Sequence, residues 1–505
     1  MNAPGIAYVQ SSVVRGVVAL PVQVEVIVSS GIPGFTIVGM PDTAIYESRE
    51  RIKAAIKSSG FTMPRDKIVV NLAPGSLRKH GSGFDLPIAL GILIATGQLR
   101  KDPFSSFLVV GELSLDGKAT SVQGLLAHQM CAKSLGLSLL TGTVTSTFVS
   151  LKQLSCFSIK SLGLLRTRSW EEIKDISEKD IPAYLDYADI SGHEFAKRAL
   201  TISAAGNHGV LMVGPPGSGK TLLARALPGI MPPLSEREYI ETALVYSVAG
   251  KNVNAFAQGM RPFRDPHHSS TPAGLLGGGT PLAPGEVSLA HNGILFLDEF
   301  PEFKPSTLQQ LRQIIEEGQV NLTRADGTYK LPAKFLLVAA MNPCPCGYFG
   351  DPHHQCSCSQ TQVNSYQNKI GGPLFDRIDI HIDVWPSSLK HVLAHTEEKS
   401  SQEMRKEVIT AQTFALERTR NQEGELVETG HELKPTISGI LSTCNLSEEA
   451  LQLFESLGNR KDITMRSLSK ILLISRTIAD LSCSAQVERT HLFEASMLRL
   501  KGSFF

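Results

Sequence analysis

No apolar stretch of this chain is long enough to cross a bilayer. The most apolar run, residues 86–96, is about half of the ~20 residues a spanning helix needs, and Pro87 interrupts it. A buried helix accounts for it. The opening MNAPGIAYVQSSVVRG lacks a charged segment followed by a long apolar one, so no export signal is expected and the chain reads as cytoplasmic. Charge of one sign is also missing. Lys and Arg total 49 against 48 Asp and Glu, a net charge of +1, which excludes a general polybasic coat but leaves room for local basic loops or a charged channel. Eight cysteines in 505 residues are not a secreted disulfide framework, yet four of them crowd between Cys344 and Cys358. There is no internal repeat and no low-complexity tract.

What is present is ordinary globular composition, 42% hydrophobic and 19% charged, in a chain too long for a single core; about three or four domains are expected. Val22, Val24, Val26 and Val28 alternate with other residues, the period of a strand with one covered face. Asp42 is placed to cap a helix carrying Ile45, Ile52, Ala55 and Ile56 on one face, with Gly60 as the stop. Apolar runs at 68–72 and 107–110 flank the 86–96 helix. These elements make an α/β domain over residues 1–165. Residues 166–189 are acidic, show no sustained apolar period and read as a linker. In 190–384, helical segments alternate with buried strands at 210–213, 294–297 and 335–340, the pattern of a mostly parallel, doubly wound sheet. From 385 to 505 the pattern is helix and charge, a helical lid.

Gly214-Pro215-Pro216-Gly217-Ser218-Gly219-Lys220-Thr221 follows the 210–213 strand and opens a helix. Glycines let backbone N–H groups curl around phosphates, Lys220 reaches the β and γ oxygens, and Thr221 ligates Mg²⁺. The strand at 294–297 ends in Asp298 and Glu299, a metal-binding carboxylate beside a water-activating one. The strand at 335–340 runs into Asn342, an amide placed to orient the attacking water. ATP and Mg²⁺ are the expected cofactors, and hydrolysis the expected reaction.

That order, followed by Gly372-Pro-Leu-Phe-Asp376-Arg377-Ile-Asp379, resembles AAA+ ATPases of the magnesium-chelatase-like branch. Further runs are similar to the competence protein ComM (YifB) family. They are Arg261-Pro-Phe-Arg264-Asp265-Pro-His267-His268, Gly277 to Gly279, Pro284-Gly285-Glu286, Leu289-Ala-His291-Asn292-Gly293 and Asn342-Pro-Cys-Pro-Cys-Gly347. Pro33 to Asp42, Glu47 to Arg51, Val70 to Pro74 and Phe84 to Leu90 resemble that family's Lon-protease-like N-terminal domain. The resemblance covers nearly the whole chain and implies a ring-forming ATPase, a homohexamer, acting on single-stranded or branched DNA in the branch migration of natural transformation. It implies that Arg377 is an arginine finger offered to a neighbouring subunit and that Arg466, opening a helix, is the sensor-two arginine. His193 departs from the family, where Gln is usual after Gly192; the nucleobase-side contact is affected.

Cys344-x-Cys346, nine residues, then Cys356-x-Cys358 supply four thiolates, enough for one structural Zn²⁺, with His353 and His354 as spare ligands. His267 and His268 read as a hydrogen-bonded structural pair. Residues 318–324 alternate like a strand, Asp326-Gly327 is a hairpin turn signal and Thr328 to Leu331 is the returning arm. Helicase relatives push such hairpins into the ring channel, where Arg324 and Lys330 would track DNA phosphates. Two rivals are weighed. A Lon-like domain invites a Ser-Lys protease, but around Ser82, Lys79 and Arg78 no clear dyad survives. A chelatase motor for metal insertion shares the ATPase core, yet the full Lon-like domain argues against it.

Overall fold

A computed structural model describes residues 5–144, 148–149, 151–174, 183–279, 282–324, 327–369, 372–387, 398–423, 437–460 and 463–499. The N-terminal domain is built on an eight-stranded mixed sheet of β1 (Gly5–Arg15), β2 (Val18–Ser29), β3 (Gly34–Val38), β4 (Lys67–Ala73), β5 (Phe107–Val109), β6 (Ser138–Gly142), β7 (Cys156–Ile159) and β8 (Glu171–Glu172), in the spatial order β8-β7-β6-β5-β1-β2-β4-β3. The alternating valines of β2 are buried as their period demands. Helix α1 (Thr43–Ser58) is capped by Asp42, whose carboxylate accepts from the Ile45 N–H at 3.0 Å. Helix α2 (Asp85–Ala95) is buried from Asp85 to Leu93 and lies on β1 and β2. It sits so close that a side chain at Gly91 would come within 2.6 Å of Val26. Arg51 of α1 grips the buried Asp85 carboxylate at 2.9 and 3.3 Å, joining two of the family-like motifs, while burial pushes that carboxyl up to about 6. Helix α3 (Leu125–Ser134) follows.

The expected linker is shorter than the sequence suggested. Trp170 stacks edge-on against Phe107 and β8 pairs with β7, so residues 170–172 belong to the N-terminal domain. At the other end, Tyr187 is fully buried in the second domain and donates to the Leu223 carbonyl at 2.8 Å. Single aromatic anchors create no period, and that is why the pattern missed them; residues 175–182 lie outside the described set.

The second domain opens with α4 (Glu194–Gly206) and contains a five-stranded, wholly parallel sheet of β9 (Val210–Val213), β10 (Phe263–Arg264), β11 (Ile294–Leu297), β14 (Leu336–Met341) and β15 (Ile380–Asp383). Its spatial order is β10-β11-β14-β9-β15. Around it are α5 (Lys220–Ala226), α6 (Glu236–Val248), α7 (Pro305–Glu317), the hairpin β12 (Gln319–Arg324) and β13 (Gly327–Pro332), and α8 (Gln360–Asn368). The lid comprises α9 (Ser401–Glu423), α10 (Ile437–Cys444), α11 (Glu448–Gly458), α12 (Met465–Leu481) and α13 (Arg489–Arg499). Its apolar faces share one core with β9, β11, β14 and β15. The architecture is therefore a Lon-protease-like α/β domain, an AAA+ core and a helical lid, as expected. Among the described residues no helix is long and apolar enough to cross a membrane.

Candidate active site

The strands β9, β11 and β14 are adjacent, so their C-terminal ends bring the phosphate loop, the acidic pair and Asn342 to one edge of the sheet. Gly217 and Gly219 adopt φ of 75° and 86°, a backbone that residues with a Cβ avoid. A side chain at Gly214 would meet the Val384 carbonyl at 2.0 Å. The Lys220 ammonium is buried and donates to the carbonyls of Gly214 and Pro215 at 2.7 and 2.9 Å, with the Asn342 amide oxygen at 3.4 Å. Burial pushes this lysine down to about 8, against the pull of Asp298. Among the described residues its close partners, the Ser218 hydroxyl at 3.3 Å included, are neutral oxygens, an arrangement suited to receiving phosphate.

Thr221 donates its hydroxyl hydrogen to the Asp298 carboxylate at 2.9 Å, placing together the two groups that Mg²⁺ needs from this class of site. Glu299, the second residue after β11, has φ of 50°, a backbone conformation that costs a side-chain-bearing residue about 1–3 kcal/mol. A cavity of about 610 Å³ is lined by Glu299, Asn342, Pro345 and Tyr366 among others. His268 Nδ1 lies 2.9 Å from the Glu299 carboxylate, and the His267 and His268 rings are 4.1 Å apart. The two histidines are expected from the sequence to form a structural pair; in the fold one of them also touches Glu299.

On the far side of the phosphate loop a second cavity, about 640 Å³, is lined by Gly192, His193, Trp385 and Ser387. His193 lines this cavity and lies against the phosphate loop, where a side chain on Gly219 would meet its ring at 3.3 Å. Lys197 and Glu398 form a buried ion pair at 2.5 Å, and Glu398 also accepts from the Gly192 N–H at 2.6 Å, tying the rim of this cavity to the start of the lid.

Arg377 is buried and pairs with Glu316 of α7, not with Asp376 or Asp379. Arg466 reaches the same Glu316 carboxylate at 3.6 Å. Asp379 is occupied by His208 and Lys470, which hold its carboxyl down at about 2 against the opposing effect of burial. Glu316 carried no signal in the sequence, because it lies on the polar side of an amphipathic helix.

The four sulfurs of Cys344, Cys346, Cys356 and Cys358 lie within 4.8 Å of one another. His353 and His354 are exposed; their backbone N–H groups donate to the Asp351 carboxylate, and the His354 ring lies 3.4 Å from it. The hairpin forms as expected, with Arg324 opposite Gly327; Ala325 and Asp326 lie outside the described residues. It rests on the N-terminal domain. The Arg15 guanidinium lies over the Tyr329 ring at 5.1 Å, Tyr329 is buried, Arg324 donates to the Gly279 carbonyl at 2.5 Å, and Lys330 is exposed. In the N-terminal domain Lys79 is buried and donates to the carbonyls of Gly39 and Pro74, while Ser82 donates to Glu112. No Ser82–Lys79 dyad is made. Ser12 and His128 do meet, at 2.7 Å and buried, a pair that 116 residues of separation hid from the sequence.

A phosphate loop between strand and helix, a hydroxyl–carboxylate pair, a second acid and an amide on neighbouring parallel strands define an ATPase of the AAA+ class. Comparison with known proteins agrees. Three family matches span the chain: subunit ChlI of Mg-chelatase over residues 24–141, magnesium chelatase subunit ChlI over 186–392 and its C-terminal part over 398–499. The chain is 37% identical over 504 residues to the protein YifB of Salmonella typhimurium, covering 98% of this chain and 97% of that one. It is 37% identical over 512 residues to the competence protein ComM of Haemophilus influenzae, covering 98% of each. A shorter match, 28% over 206 residues, links 36% of the chain to 37% of Lon protease 2 of Bacillus subtilis. The chain belongs to the magnesium-chelatase-like ComM/YifB family.

Proposed function

We propose that this protein is an ATP-driven motor that assembles as a homohexameric ring and moves along single-stranded or branched DNA, serving branch migration during recombination. The observation that carries the reading is the convergence of Lys220, the Thr221–Asp298 pair, Glu299 and Asn342 at one sheet edge, in a chain similar over its length to a protein named for competence. Lys220 and the loop N–H groups bind the phosphates. Thr221 and Asp298 would hold Mg²⁺, which neutralises charge on the phosphate oxygens when bound. Glu299 takes the proton of the attacking water, and Asn342 orients that water. Arg377 offsets transition-state charge in the next subunit, and Arg466 senses nucleotide from the lid. The basic residues Arg324 and Lys330 of the hairpin contact DNA phosphates. Cys344, Cys346, Cys356 and Cys358 would hold one structural Zn²⁺, as their chemistry and mutual spacing fit.

A second reading is favoured by the chelatase subunit matches: a motor that drives metal insertion into a porphyrin. Steady-state ATPase assays with forked, four-way and duplex DNA, and with a porphyrin and Mg²⁺, separate the two. Stimulation by branched DNA with movement of the junction supports the DNA motor. Stimulation by porphyrin alone overturns it.

A further inference from the structure

We propose that the loop holding the four cysteines is a metal-dependent wall of the hydrolysis pocket, so that ATP turnover requires its zinc ion while ATP binding does not. This rests on the ATPase reading above. Three of the four sulfurs are already close to ligand spacing, and the fourth, of Cys358, lies within 4.8 Å of each of them. Sulfur–sulfur distances are 3.3 Å for Cys344–Cys346, 3.5 Å for Cys346–Cys356 and 3.7 Å for Cys344–Cys356. Tetrahedral zinc with bonds of about 2.3 Å separates its sulfurs by about 3.8 Å, whereas a disulfide is a direct bond of about 2.05 Å. The N–H groups of Phe349 and Cys358 point at the sulfurs of Cys344 and Cys356 at 3.3 and 3.4 Å, the outer-shell donors that a thiolate site needs to spread its negative charge.

What makes the site more than a staple is where it lies. Cys344 follows Asn342 by two residues, and Pro345, between two of the ligands, lines the 610 Å³ cavity with Glu299 and Asn342. Gly347, at φ of 88°, presses on the phosphate loop: a side chain there would come within 2.6 Å of Pro216. From residue 342 to 359 there is neither helix nor strand, and the backbone bonds within the stretch are short turns such as Gly347 N–H to Cys344 and Asp351 N–H to Tyr348. Without secondary structure of its own, so long a segment would depend for its shape on a cross-link at the four cysteines, beside the packing of Phe349 against the core. On leaving it the chain enters α8 through the Ser359–Gln362 capping box, and Gln367 of that helix returns a bond to the Pro343 carbonyl at 3.1 Å. Metal loss therefore frees the segment that carries Pro345 and adjoins Asn342. Lys220 and Thr221, set by β9 and α5, keep their bonds to Gly214, Pro215 and Asp298, and lose at most the 3.4 Å contact to Asn342.

The test is made on the full-length protein. Elemental analysis should find about one zinc per chain, and cobalt exchanged for it should give the intense d–d and thiolate charge-transfer bands of a tetrahedral tetrathiolate. Releasing the zinc with a mercurial and a chelator, then reversing the mercurial with thiol and restoring Mg²⁺, should lower kcat by about tenfold or more. Affinity for a non-hydrolysable ATP analogue should stay within about threefold, and added zinc should restore turnover. Cys356→His, which keeps four ligands, should retain metal and turnover better than Cys356→Ser. Protein purified without zinc that also fails to give the cobalt bands overturns the proposal. So does metal-free protein with unchanged kcat, and that result leaves the ATPase reading intact. A zinc-loaded protein that hydrolyses no ATP overturns the ATPase reading and the turnover claim together, while the cobalt bands still decide the ligand set.

Discussion

Arg377 donates to the carboxylate of Glu316, and Arg466 from the lid approaches that same carboxylate. A guanidinium buried against an acid of its own chain must exchange that partner to stabilise charge on a neighbour's phosphate. Mixing Arg377→Ala chains with Glu299→Gln chains, each inactive alone, should therefore recover measurable ATPase in mixed rings. Mixed rings shown to form but remaining inactive would remove Arg377 from the role of finger.

Lys220 gives the site a pH signature. Burial holds it at about 8 in the unliganded protein, and bound phosphates favour its charged form, so its value rises in the complex. Below about pH 8 both states are protonated and affinity is flat. Above it, binding must draw a proton from solvent, and affinity falls by up to about tenfold per pH unit until the complex titrates too. Fluorescent-nucleotide titrations between pH 7 and 9.5 read this directly; a flat profile across that range contradicts the lysine's placement.

Most of the core was legible because its signals are local. The phosphate loop, the Asp298–Glu299 strand end and Asn342 each announce themselves within about a dozen residues of one strand and its turn. The pairing of Asp42 with α1 was equally local. What escaped were contacts that only folding makes. His268 reads as half of a structural pair until Glu299 is brought to it, Glu316 is one of two adjacent acids at the end of α7, and Ser12 meets His128 across the sheet and α3. Trp170 and Tyr187 anchor the ends of an otherwise aperiodic stretch, and a period search weighs single anchors as nothing.

The hairpin is where the sequence expectation and the fold pull against each other. Lys330 is exposed, but Tyr329 is covered by Arg15 and Arg324 is bonded to Gly279. If the hairpin holds DNA, Arg324→Ala with Lys330→Ala should keep basal ATPase, lose its stimulation by DNA, and flatten the salt dependence of DNA binding by about two phosphate contacts. Unchanged DNA affinity and salt slope would return the hairpin to a purely structural role against the N-terminal domain.

Glu299, which follows Asp298 and lines one cavity with Asn342, is the residue proposed to activate water for ATP hydrolysis. Single-turnover ATPase of Glu299→Gln, with nucleotide affinity measured on the same sample, tests that role most directly. Affinity should stay close to that of the parent protein while hydrolysis slows by about 100-fold or more, the scale of a general-base contribution. Hydrolysis at the parent rate, with affinity unchanged, would contradict it.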